Sequence, residues 1–164
     1  MIKRFVSKDL QDGIKRPEID ILLGARQVGK TTLLKALERE VRETGQRTHL
    51  FDLEQPQVLA EFNRPDHEII EKIKAAGKIV FIDEFQYLKN ASKIFKAIYD
   101  SSAPVKVICS GSSSLEVHKH LKESLAGRKF IFRIYPLQYS ELKAHQDTFP
   151  LEFYLRYGGM PALT

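Results

Sequence analysis

The order of apolar and amphipathic segments predicts an α/β fold built on a mainly parallel sheet. Two observations carry that prediction. Short apolar runs alternate with segments of helical period, as stacked βα units require, and a glycine-rich joint couples the first run directly to the first helix. At 164 residues the chain is the size of one compact domain, and no repeat, low-complexity segment or linker divides it.

Residues 19–23 (IDILL) form the first strand candidate. From Lys30 the period changes, with Leu33, Leu34, Leu37 and Val41 on one helical face and Gly45 placed to end the helix. Residues 49–53 (HLFDL) read as a second strand, 66–76 as a helix stopped by Gly77, and 79–82 (IVFI) as a strand buried on both faces. Residues 90–99 carry Ile94, Phe95 and Ile98 at helical spacing, and 105–109 (VKVIC) are a fourth strand. Ser113 and Glu116 make a capping box that opens a further helix, and 130–134 (FIFRI) are a fifth strand. Short helices and turns follow to the end. There Phe149, Phe153, Tyr154 and Tyr157 fall at helical spacing and read as a core-packing stripe.

Composition excludes several classes. Residues 1–16 carry charges every few positions and lack the apolar run of a signal peptide or membrane span, so a cytoplasmic protein is expected. The single cysteine, Cys109, has no partner for a disulfide and sits in an apolar run, where it reads as a small buried hydrophobe. A formal charge of +5 suits a polyanion, but 26 basic residues are interspersed with 21 acidic ones and never form a run of five, so nucleic acid is not indicated. His118 and His120, among lysines, lack further ligands at zinc spacing and read as a solvated face.

The chemistry is concentrated at the first joint. Gly24-x-x-x-x-Gly29-Lys30-Thr31 fits GxxxxGK[ST], directly after a buried strand and directly before a helix. Glycines let the backbone of Gly24, Ala25, Arg26, Gln27, Val28 and Gly29 wrap a phosphate with its N–H groups inward, and the start of the helix at Lys30, Thr31 and Thr32 adds partial positive charge. Lys30 would neutralise the β and γ phosphates, and the Thr31 hydroxyl would stand where Mg²⁺ sits. Arg26 and Gln27 could also meet phosphate or a neighbour. The joint is built for a nucleoside triphosphate.

A phosphate cradle leaves metal and water to be managed by an acid on a neighbouring strand. Asp83 and Glu84 emerge at the end of IVFI, where ligands of open α/β sheets bind. Asp83 would hold Mg²⁺ through water and Glu84 would act as general base, which argues for hydrolysis over transfer to a second substrate. Gln86 would orient the water or serve only as a loop polar residue. If the fourth strand lies between the other two, Ser110 at its tip would sense the γ-phosphate, with Ser112 close behind. No guanine-reading NKxD-like motif occurs, so adenine is favoured.

The phrases GARQVGKTTLL, FDLE, IVFIDEFQ, SGSSSLEV, LAGR, YPLQYSE and YGGMP resemble, in this order, the AAA+ ATPases of archaea and bacteria that carry a C-terminal domain of unknown function, close to the STAND branch. The resemblance implies an additional-strand (ASCE) P-loop core, a three-layer αβα sandwich with sheet order 5-1-4-3-2, and a serine sensor after the fourth strand. It implies that residues 1–164 are a single ATPase core, with 1–18 a lead-in and 135–164 the start of a connection to a C-terminal lid. It implies that Arg128, in LAGR, senses or stabilises the γ-phosphate, in its own chain or a neighbour's. The expected activity is Mg²⁺-dependent ATP hydrolysis that moves a C-terminal region or partner, with assembly into a homo-oligomer left open. The alternative is a STAND-like switch with little turnover.

Overall fold

The computed structural model describes residues 2–112 and 125–161. Five parallel strands form one sheet: β1 (Ile19–Gly24), β2 (Thr48–Asp52), β3 (Ile79–Asp83), β4 (Lys106–Ser112) and β5 (Lys129–Ile134). Their spatial order is β2-β3-β4-β1-β5, the order the resemblance implies. The helices are α1 (Val6–Gly13), α2 (Lys30–Glu43), α3 (Pro56–Glu61), α4 (Asp66–Ala76), α5 (Ala91–Tyr99), α6 (Tyr139–His145) and α7 (Leu151–Tyr157).

Side chains on successive strand residues point to opposite faces, so a strand that is apolar throughout must be covered on both. That is what the core shows. Ile19, Ile21 and Leu23 of β1, with Val80 and Ile82 of β3 and Val107 and Cys109 of β4, pack with Ile69 and Ile73 of α4 and Ile94, Phe95 and Ile98 of α5. The alternate residues, Leu22, Phe81 and Ile108, pack instead with Leu10 of α1 and Leu33, Leu34, Leu37 and Val41 of α2. Helices on both faces make the three-layer sandwich.

Several details differ from the sequence reading. Helix α1 was not expected, because it buries only Leu10 and Gly13 and otherwise shows solvent a run of charges. Helix α3 has no fully buried residue, lays only Val58 and Leu59 half-buried against the core, and starts with Pro56 in its first turn. Strand β4 runs three residues past Cys109, so Ser110 lies within the sheet. The aromatic stripe is corrected: Phe149, Phe153 and Tyr157 stack on one another, with centroids 5.8 and 4.6 Å apart, yet Phe153 and Tyr157 stay 39% and 46% exposed. Phe149 and Tyr154 are half-buried, Tyr154 against Tyr139 with its hydroxyl donating to the Leu137 carbonyl. The capping box at Ser113 and the histidines at 118 and 120 lie outside the described residues.

Candidate functional site

Parallel strands place all their C-terminal ends on one edge, and β1, β4 and β3 are adjacent there. After β1 the chain turns sharply. Gln27 and Gly29 both take positive φ, 64° and 94°, and α2 starts at Lys30 with Gly29 as its N-cap. Gly24 is required for another reason. A Cβ there would lie 2.2 Å from the carbonyl oxygen of Ile134, so the glycine lets β5 approach the root of the loop. Val28 is fully buried and anchors the loop in the α1/α2 core, while Ala25, Arg26 and Gln27 stay exposed.

Lys30 is buried, and its Nζ donates to the carbonyls of Gly24 (3.1 Å) and Ala25 (2.8 Å), so the ammonium is held inside the curve of the loop. Thr31 is half-buried and Thr32 exposed on the first turn of α2. Asp83 is buried at the end of β3, where its Oδ1 accepts from Ser110 Oγ and from the Glu84 amide (3.1 Å). The sheet thus brings the expected sensor and the expected metal carboxylate into contact. Glu84 adopts a left-handed conformation (φ 54°) that starts a short 3₁₀ turn, Phe85–Tyr87, and its carboxylate accepts from Gln86 Nε2. Gly111 makes room for this turn, since a Cβ there would meet Phe85 and Gln86 at 2.7 Å.

Gln27, Lys30, Thr31, Thr32 and Glu84 line one open cleft of about 580 Å³, within the range of small-molecule sites. Its wall also includes Glu54, Tyr87 and Pro161, which the sequence reading did not assign. Glu54 had a signal in the phrase FDLE and Pro161 in the phrase YGGMP; Tyr87, one residue past IVFIDEFQ, had none. Among the described residues no group of three His, Cys, Asp or Glu side chains forms a metal site by itself. No helix among them is long and apolar enough to cross a membrane.

The structure does not bring Arg128 to this cleft. The Ile19 amide donates to its carbonyl (2.9 Å), which fixes it beside the first residue of β1, whereas the loop leaves from the last. Five strand steps separate the two ends, roughly 16 Å. Its guanidinium pairs with Asp100 (2.9 Å) over the end of α5. A role for Arg128 at the γ-phosphate of its own chain is therefore corrected. Ser112, paired with Gly24 at the same end of the sheet as Ser110, does border the loop.

The fold and the loop define a P-loop nucleotide-binding core of the additional-strand type, in which β4 separates β1 from β3. The chain belongs to a family described as AAA domain, whose model matches residues 16–143. Solved structures share the fold. DnaA from Aquifex aeolicus, bound to AMPPCP, is 16% identical at a TM-score of 0.64, covering 96% of this chain and 56% of that one. A replication initiator DnaA bound to AMPPCP and single-stranded DNA is 15% identical (TM-score 0.61; 96% and 57% covered). A DNA replication initiation factor is 17% identical (TM-score 0.57; 90% and 49%). The chain thus spans about half the length of the structures it resembles. No curated protein matches it.

Proposed function

We propose that the chain binds ATP with Mg²⁺ in the cleft at the C-terminal edge of the sheet and hydrolyses it, using the change to move a further region of the protein or a partner. The observation that carries this reading is the convergence at one strand edge: Lys30 held on the loop by its Gly24 and Ala25 carbonyls, Glu84 in the same cleft, and Asp83 bonded to Ser110 on the neighbouring strands. AMPPCP, bound in two DnaA structures of this fold, is an ATP analogue, which supports a nucleotide as the ligand.

The donors suit Mg²⁺, because a hydroxyl and a carboxylate are the hard oxygen ligands it takes, with phosphate oxygens and water completing its shell. Thr31 and Asp83 would hold the ion, which screens phosphate charge when bound. Ser110 orients Asp83 through its hydroxyl and so fixes which carboxylate oxygen stays available. Lys30 faces the β and γ phosphates, and Glu84 takes a proton from the attacking water. Gln86 donates to Glu84 Oε2, which fixes the carboxylate in place and, by stabilising its charged form, makes it a weaker base. That hydrogen bond is the observation favouring the second reading, a slow switch whose bound state carries the signal.

Mg²⁺-ATP titration with phosphate release in the same samples tests both. Lys30→Ala is expected to lower affinity at least tenfold, and Glu84→Gln to abolish phosphate release while keeping nucleotide bound. Wild-type affinity in Lys30→Ala would defeat the nucleotide reading. Bound nucleotide with the same negligible release in wild type and Glu84→Gln would establish the switch.

A further inference from the structure

We propose that Arg4 is a positioning residue for the phosphate-binding loop, held in place by Glu141, so that the N-terminal segment and the segment after β5 jointly set the geometry of the cradle. The inference rests on the nucleotide reading above. Carbonyls of a loop that are shut away from water need donors of their own. Lys30 serves Gly24 and Ala25. Val28, whose side chain is buried in the core, is served from outside the loop: Arg4 Nη1 donates to its carbonyl at 3.0 Å.

That bond has a direct consequence for the next amide. The carbonyl of Val28 and the N–H of Gly29 belong to one planar trans peptide and point in opposite directions. A guanidinium gripping the Val28 oxygen therefore aims the Gly29 N–H away from Arg4. Gly29 is the N-cap of α2, with φ 94°, a conformation that glycine adopts freely in either sense and that needs an external hold to be unique. Arg4 Nη1 also lies 3.6 Å from where a Gly29 Cβ would stand, so the residue packs against the turn it orients.

Arg4 itself is built in. It is 8% exposed, and its other nitrogens donate to Glu141 Oε1 (Nε, 3.2 Å) and to the carbonyl of Tyr135 (Nη2, 2.6 Å). Glu141, 4% exposed, additionally accepts the amides of Phe5 (2.8 Å) and Gln138 (2.9 Å). All three guanidinium nitrogens and both carboxylate oxygens are engaged. A planar fork with fixed donors suits this geometry, and a lysine ammonium, a single point charge, does not reproduce it. Such saturation around one loop carbonyl is more than a surface ion pair needs.

The test uses Arg4→Lys with Lys30→Ala as control, reading the Kd of Mg²⁺-AMPPCP, the urea midpoint, and the amide resonance of Gly29 on adding the analogue. Loss of a residue that orients a metal ligand weakens binding by about 10- to 100-fold, and the low end is expected for a residue that orients a phosphate loop. We expect Arg4→Lys to show that loss in its folded fraction, together with a smaller nucleotide-induced shift of the Gly29 amide. A merely structural role moves the urea midpoint and leaves the Kd of the folded protein and the Gly29 shift at wild-type values, and that result would overturn the proposal. Should Arg4→Lys fail to fold, Glu141→Gln keeps one of the two acceptor oxygens and removes the charge that anchors Arg4. It should weaken the analogue severalfold, and wild-type affinity there sinks the idea equally. If Lys30→Ala binds like wild type, the nucleotide reading itself fails, and the role of Arg4 falls with it for that separate reason.

Discussion

At Gly24 and Gly29 the same residue type answers two different physical demands, although one motif contains both. Gly29 needs its left-handed φ of 94°, where a side chain brings Cβ against the following carbonyl. Gly24 needs space, because β5 runs past it with the Ile134 oxygen 2.2 Å from any added Cβ and Val28 Cγ2 at 3.1 Å. A backbone oxygen held in a parallel ladder cannot swing aside as a lysine tip would. Gly24→Ala should therefore lower the free energy of urea unfolding by about 2 to 3 kcal/mol, the upper part of the roughly 1 to 3 kcal/mol that overpacked cores cost, because the clash is with backbone. Gly29→Ala should lower it by about 1 to 2 kcal/mol, as a single strained residue does. Equal effects, or a larger one at Gly29, would mean that β5 yields easily and that the loop root is not fixed by the sheet.

At the scale of elements, what was legible in the sequence was what lies in contiguous residues. Strands β1, β3 and β4 and helices α2, α4 and α5 declared themselves by mainly apolar runs, unbroken only in β3, or by a clear helical face, and the cradle and the Asp83–Glu84 pair by their place at strand ends. Helix α1 was hidden, since Lys8, Asp9 and Asp12 surround one buried leucine. Arg4 and Glu141 were hidden because 137 positions separate them and only the fold joins them. Arg128 lies at the opposite end of the sheet from the loop, and the phrase LAGR does not say which end it meets. Asp20 was passed over inside IDILL, and it shows what an element can conceal. It is fully buried in β1, 2.9 Å from Lys106 Nζ of β4, with Arg16 at 3.8 Å. Burial pushes the Asp20 carboxyl up and the Lys106 ammonium down, and each charge pulls the other back. Removing one partner strands the other in the interior. Asp20→Asn should therefore destabilise the fold by about 3 kcal/mol, whereas Asp20→Leu combined with Lys106→Met should recover most of that loss in urea unfolding. A double variant no better than the single would assign the loss to strand packing and not to the ion pair.

For the whole molecule, the sheet order makes one strand common to both the core and the site. Strand β4 lies between β1, which launches the loop, and β3, which ends in Asp83; Cys109 on β4 is immediately followed by Ser110, whose hydroxyl meets Asp83. Cys109 is fully buried, and burial holds its thiol well above the ordinary value, so a thiol reagent that needs thiolate reaches it only when the structure opens. Any opening wide enough to admit the reagent separates β4 from its neighbours and takes Ser110 away from Asp83. Nucleotide binds only the closed form, so labelling must slow by the full binding factor, about 100-fold at a hundred times the Kd. The measurement is the rate of Cys109 modification with and without saturating Mg²⁺-AMPPCP, under conditions where reclosing outpaces reaction. Lys30→Ala should lose the protection while keeping its slow labelling without nucleotide. Labelling indifferent to the analogue in a wild-type protein that binds it would mean that Cys109 is exposed by a local motion that spares the site. In that case the sheet would not be the single cooperative unit linking core to cradle.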